Sequence, residues 1–251
     1  MSGNATDGML HITTPAFRYQ YLDHIYASIP PHSDITWHIA KVADRPALTN
    51  GFLTDPRVRV YELACTDADT VTKRNHIFDQ INDGYFHLLD DDTLFHPGMY
   101  RVYERYAAQA FVGMIIGYQH NRDGFVFLRP NYPIHWSRTP TDSGMVLCHH
   151  SALGHTRWIS HHDGPNDFNF WQRCYAYFGQ QATLLVPDVI SCYNYFGPLI
   201  RVTKKILFRT VAFDICSFYV AWPYTKAFQF LNIFRRLFDI KRKQDHRFPR
   251  L

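Results

Sequence analysis

Tyr85-Phe86-His87-Leu88-Leu89 runs directly into Asp90-Asp91-Asp92-Thr93, so an apolar and aromatic segment with the look of a buried strand ends on three consecutive carboxylates. Like charges at that spacing repel unless a cation or a network of donors offsets them, and a hard divalent metal with oxygen ligands does so most directly. The carboxyl end of a strand in an open α/β sheet is also where ligands bind. The competing reading is an acidic turn leading into the helix after His96-Pro97-Gly98, because Asp and Thr favour such turns. The flanking chain has to decide between them.

The other groups able to do chemistry narrow the choice. Histidine is abundant, with 15 residues and two clusters, His149-His150 and His161-His162-Asp163. Adjacent residues on a strand face opposite ways, so neither pair chelates a metal as a unit and a zinc site is disfavoured. Cys65, Cys148, Cys174, Cys192 and Cys216 are odd in number, widely spaced and mostly set in apolar runs. With no CxxC pair, they read as buried free thiols in a reducing compartment. Neither GxGxxG nor GxxxxGKS/T is present, which argues against Rossmann dinucleotide binding and P-loop hydrolysis.

The elements that would position these groups alternate over the first 120 residues. Leu10 to Thr14, Ile35 to Val42, Val58 to Cys65, Tyr85 to Leu89 and Phe111 to Tyr118 read as strands. Between them, Phe17 to Ser28, Asp69 to Ile81 and Gly98 to Gln109 read as helices, the first stopped by Pro30-Pro31 and the second capped by Asp67 or Asp69. That order predicts an α/β fold with a mostly parallel sheet flanked by helices on both faces. Beyond Asn121 the strands Phe125 to Leu128, Gly144 to Cys148 and Leu184 to Ile190 are separated by long polar loops, with one helix, Asn166 to Phe178. Loops of that kind on a rigid sheet are where binding residues tend to be placed.

Charge divides the chain. Residues 201 to 251 hold 12 Lys and Arg against 3 Asp and Glu, whereas residues 1 to 200 hold 14 against 19. A mildly acidic body (10–198, after a flexible 1–9) followed by a basic, Phe-rich amphipathic helical appendage (199–251) suits a soluble domain touching an anionic surface. Arg209 and Asp214 interrupt the appendage's apolar run, so it falls short of the roughly 20 apolar residues of a membrane span. It carries no nucleic-acid-binding signature, so no nucleic-acid partner is expected. Met1 to Met9 lacks an apolar signal core, and a cytoplasmic protein, peripheral at the inner face of a membrane through residues 203–251, is expected.

Taken together, Thr13-Thr14-Pro15 ending a strand, a second strand closing on Asp44, the helix bearing Lys73-Arg74-Asn75, and Leu88-Leu89-Asp90-Asp91-Asp92 resemble the nucleotide-sugar-binding half of GT-A glycosyltransferases. The look is closest to glycosyltransferase family 2 and to the glucuronyltransferases with an Asp-Asp-Asp motif, over residues 10 to 195, with a nucleotide-sugar half (10–120) and an acceptor half (121–198). The resemblance implies that Thr14, Pro15 and Arg18 cradle the nucleotide, that Asp44 accepts from the base, and that Arg74 and Asn75 help hold base and ribose. Asp90 and Asp91 would bond ribose and water beyond the metal's own ligands, and Asp92 would bind Mn2+ or Mg2+, completed by His162, with His161 or Asn194 as alternatives. Asp167, in Gly164-Pro165-Asn166-Asp167-Phe168, matches the place of the family's Glu-Asp base, with Asn166 where the family has Glu and Asp163 as a substitute. A helix N-cap is its ordinary alternative. Asp142-Ser143-Gly144 resembles the acceptor-side loop, and Trp158 would stack on the acceptor.

The implied activity is metal-dependent transfer of a sugar from a nucleotide-sugar, a UDP-sugar by expectation, to a hydroxyl of a glycan or lipid-linked acceptor. Inversion is expected, since one base and no second carboxylate nucleophile is visible. The alternatives are a nucleotidyltransferase of similar fold, against which the missing Gly-rich loop counts, and a non-catalytic carbohydrate or membrane-surface binding protein.

Overall fold

A computed structural model describes residues 8–67, 69–120, 126–127, 142–159, 166–193 and 195–196. The basic appendage from residue 199, and His161, His162, Asp163 and Asn194, lie outside the described residues.

Four strands build one half of the sheet: β1 (Leu10–Pro15), β2 (Ile35–Val42), β3 (Val58–Leu63) and β4 (Tyr85–Leu88). They lie in the order β3-β2-β1-β4, all parallel, with Leu10 opposite both Ile35 and Tyr85. Every residue of β1 and β4 is buried, the polar His11, Thr13, Thr14 and His87 among them, as strands covered on both faces require.

The other half departs from the parallel expectation. Beyond β4 the order is β8 (Val146–His149), β6 (Met114–His120), β9 (Thr183–Cys192) and the short β5 (Leu94–Phe95), with β7 (Val126–Phe127) paired to β6. β6 and β9 pair in parallel, but β8 runs against both β4 and β6, and β5 against β9. An antiparallel neighbour needs no helical crossover, and none intervenes between β6 and β8 among the described residues. The reversal of β8 places its amino end beside the carboxyl ends of β4 and β6, so the chain entering β8 reaches the same rim as the acidic triplet.

Helices cover both faces. α1 (Leu22–Ser28) and α3 (Pro97–Ala107) enclose a core that includes Leu10, Ile12, Ile25, Trp37, Met99, Tyr103 and Ile115. α2 (Thr70–Phe78) and α4 (Asn166–Phe178) enclose Phe78, Phe86, Leu88, Ile116, Phe170 and Trp171 on the other side. Phe86 and Leu88 against Tyr85 and Leu89 show the strand alternation feeding both cores. Of the two predicted caps, Asp69 starts α2, accepting from Thr72 N at 2.9 Å. No described helix is long and apolar enough to cross a membrane.

The helix read from Phe17 begins late. Residues 17 and 18 are loop, Tyr19–Tyr21 form one 3-10 turn, and α1 starts at Leu22. Arg18, at φ −107° and ψ 73°, is not helical, and the N–H groups of Phe17 and Arg18 donate to Asp91 at the site.

Candidate active site at the carboxyl rim

The rim receives its charged groups from five places: the β1–α1 loop, α2, the turn after β4, the entry to β8, and the first turn of α4. In this structure the carboxylates of the triplet are divided between two arginines. Asp91 is almost fully buried, accepting at Oδ2 from Phe17 N (2.5 Å) and Arg18 N (2.6 Å) and at Oδ1 from Arg18 Nε (2.8 Å). Arg18 Nη2 lies 2.5 Å from Asp91 Oδ1, and its Nη1 donates to Asp92 Oδ2 at 2.8 Å. Asp90 turns the other way, accepting from Arg74 Nη2 at 2.6 Å.

Arg74 joins the two halves of the site. Its Nη1 donates to Asp167 Oδ1 at 3.2 Å, and its guanidinium lies 4.0 Å from the centroid of the Trp158 ring. Burial works against its charge, but Asp90 and Asp167 hold its pKa above the ordinary arginine value. Asp167 also accepts from the hydroxyl of Ser143, so this carboxylate is oriented from both sides.

α2 controls the neighbouring walls through consecutive residues. Lys73 Nζ donates to the carbonyls of Ala16 (3.0 Å) and Asp67 (2.9 Å) and sits over the Phe17 ring at 3.8 Å. Burial lowers its pKa. Asn75 donates from Nδ2 to Trp158 O (2.9 Å) and accepts from Trp158 N at Oδ1 (2.8 Å). Its amide is therefore committed to the backbone of the segment before α4, where the resemblance implied contact with base and ribose. Trp158 is 2% exposed, with Arg74 on its ring and Phe170 at 4.6 Å between centroids. Here it serves as the floor under Arg74, where the resemblance implied an acceptor-stacking face.

Thr14 is buried and accepts from Trp37 Nε1 at 2.9 Å, and Pro15 is buried at the end of β1. Asp44 sits exposed on the turn after β2, on the same rim, and joins none of the ion pairs above. The site thus brings together Arg18, Arg74, Asp90, Asp91, Asp92, Trp158 and Asp167, with Thr14 and Asn75 acting on the structure around them.

Asp142 carries a further perturbed carboxyl. It accepts at Oδ1 from Gly144 N (2.9 Å) and Gln119 Nε2 (2.8 Å), and burial, with Asp90 and Asp167 nearby, pushes its pKa up to about 7. Gly144 makes this contact possible, because a Cβ there would collide with Gln119 Nε2 and crowd Ser191 Oγ. Asp90 is also raised, by burial and by Asp167 and Asp92, against the pull of Arg74. Tyr193 is raised by burial and then by the charges of Asp142, Asp92, Asp90 and Asp167. Gln119 and Ser191 carried no motif; an isolated polar residue at a strand end gives no signal until β6, β8 and β9 are laid side by side.

Among the described residues no group of three His, Cys, Asp or Glu is arranged to hold a metal. The donor at hand is Asp92, half-buried, whose Oδ1 has Thr93 Oγ at 3.4 Å as its described partner. That fits a hard cation held by few protein oxygens and many ligand or water oxygens.

No protein-family model matches the chain, and no curated sequence matches it significantly. Among solved structures, S. aureus TarS residues 1–349 in complex with UDP superposes with a TM-score of 0.61 at 10% identity, covering 73% of this chain and 60% of that one. The complex of the same fragment with UDP-GlcNAc gives a TM-score of 0.60 at 10% identity, covering 73% and 58%. A longer TarS chain gives 0.61 at 10% identity and is matched over 36% of its length. The chain therefore spans at most about three fifths of these relatives. At this identity the likeness defines the fold, a GT-A-like α/β architecture.

Proposed function

We propose that this chain transfers a sugar from a nucleotide-sugar, a UDP-sugar in the leading reading, to a hydroxyl of a glycan or lipid-linked acceptor, with inversion. The observation that carries the proposal is the Arg74 bridge: one buried guanidinium ties the carboxylate at the end of β4 to the carboxylate opening α4, at 2.6 and 3.2 Å. Leaving-group chemistry and base chemistry are thereby held on one rim. TarS, of like fold, has been solved with UDP and UDP-GlcNAc, which supports the choice of donor class.

In this reading Asp167 takes the proton of the attacking hydroxyl as the acceptor oxygen bonds to the sugar C1 and the C1–O bond to the diphosphate breaks. Arg74 and Ser143 orient it. Mn2+ or Mg2+ would be held by Asp92, with His162 as a candidate further ligand, and would supply positive charge to the departing diphosphate. Arg18 provides cationic charge of the protein's own beside the same carboxylate. Asp44 would accept from the base. Residues 203–251 would dock on an anionic membrane surface.

The test is thermal shift with UDP-, GDP- and CMP-sugars, with and without Mn2+, on wild type and Asp92→Ala. A bound ligand raises the melting temperature by mass action. Stabilisation by UDP-sugars that needs Mn2+ and is lost in Asp92→Ala is the expected outcome; a wild-type protein indifferent to every nucleotide-sugar defeats the proposal.

A further inference from the structure

The three carboxylates after β4 are not held equally. Asp91 is anchored by two backbone N–H groups as well as by Arg18, and Asp90 by an Arg74 that is 5% exposed and stacked on Trp158. Asp92 meets a cation at one point, Arg18 Nη1, and the Arg18 side chain is 43% exposed. One guanidinium is built in; the other is paired with buried Asp91 through Nε and Nη2 and reaches Asp92 through Nη1 alone, on its exposed side.

We infer that Arg18 is an exchangeable counter-ion: it neutralises Asp92 in the empty site and moves to a phosphate oxygen when a divalent metal and a nucleoside diphosphate arrive. The inference rests on the proposed function above. A guanidinium and a dication cannot both sit against one carboxylate without repelling each other at close range. A diphosphate changes the balance, since its oxygens accept from Arg18 while also ligating the metal. The loop need not move with the side chain, because the N–H groups of Phe17 and Arg18 remain on Asp91. Metal alone then competes with Arg18 for Asp92, whereas with metal and nucleotide together Asp92 has the metal, Arg18 has a phosphate oxygen, and Asp91 keeps its two backbone donors. The two ligands therefore bind with positive coupling, and Arg18 is the residue that sets its size.

Mn2+ binding, followed by the electron paramagnetic resonance signal of the free ion, tests this on the full chain with and without UDP, in wild type and Arg18→Gln. The variant is expected to bind Mn2+ alone about tenfold more tightly and, at saturating Mn2+, to bind UDP about tenfold more weakly. Equal Mn2+ affinity of wild type and variant without UDP, or an unchanged UDP affinity, overturns the exchange while a wild type that binds Mn2+ and UDP keeps the transferase reading standing. A wild type that binds neither overturns both. If Arg18→Gln does not fold, Arg18→Lys is read the same way, because a point-like ammonium cannot serve Asp91 and Asp92 together as the planar fork does.

Discussion

Two walls of the same site hold an arginine against aspartate, and they differ in almost every respect. On the α2 wall Arg74 is buried, stacked and shared between Asp90 and Asp167 from different elements. On the β1–α1 wall Arg18 is nearly half exposed, and the loop it belongs to is held by backbone donors whatever its side chain does. The same pair of residue types is framework in one place and reactive surface in the other. Desolvation of the arginine makes the difference: Arg74 is 5% exposed and Arg18 43%, whereas the buried carboxylate on the Arg18 wall, Asp91, keeps two backbone N–H donors of its own.

The largest effect that sharpens this contrast is expected from Arg74→Met. It removes the buried cation from two carboxylates and should lower folding stability by about 3 kcal/mol, the low end for breaking a buried pair because both carboxylates keep some solvent contact. Urea denaturation measures it, and a loss as small as that of an exposed pair would make the two walls alike. Asp167→Asn keeps the shape of the clasp and removes the basic oxygen. Turnover of a UDP-sugar is expected to fall about 100-fold or more while the melting temperature changes little; retained turnover would remove Asp167 as the base.

A third carboxyl sets a pH signature between these extremes. The Asp142 pKa is raised from 3.8 to about 7 on folding, so the native state binds the extra proton between those values. Its contribution is then fully present below pH 4 and is lost as pH rises toward 7. Buried histidines with lowered pKa, His38 to about 3 and His87 to about 4, impose the opposite slope, so the difference between wild type and Asp142→Asn is the quantity to follow. The variant should gain about 3 kcal/mol relative to wild type from pH 4 to pH 7 in denaturant titrations; a flat difference would place Asp142 in solvent. The smallest effect is expected from Arg18→Gln, about 1.5 kcal/mol of stability, because buried Asp91 loses its side-chain cation but keeps two backbone N–H donors. A larger loss would turn Arg18 into a second Arg74.

Much of the parallel half was legible in the residues. Leu10, Ile12, Ile35, Trp37, Phe86 and Leu88 lie in short segments rich in β-branched and aromatic residues that read as strands, and the Asp triplet was correctly placed at a strand end. The direction of β8 was not legible, because Val146–His149 has the same composition whichever way it runs and only its neighbours choose. β5 is two residues long and paired to β9 almost a hundred positions away, beyond any local pattern. The late start of α1 is likewise tied to a distant contact: Phe17 looks helical in sequence, but it lies in a loop bonded to a carboxylate 74 residues on. The triplet's need for positive charge was readable, whereas the presence of two arginines to meet it in this structure depends on folding. Trp158 and Asn75 show the same division, their types suggesting ligand contact and their packing assigning them to the support of Arg74.

The reversed strand β8 has a further consequence for anyone wishing to alter this site. Ser143, which steadies Asp167, enters the rim through a ladder wedged between β4 and β6, so the gap between the two sets of carboxylates is ruled by backbone pairing. Slippage of that ladder by one residue would turn Val146 and Leu147 into each other's core and withdraw the serine altogether. Width across the cleft is thus a quantised property of the sheet, and tuning for a larger or smaller sugar has to come from side chains and loop lengths placed around a spacing that does not stretch.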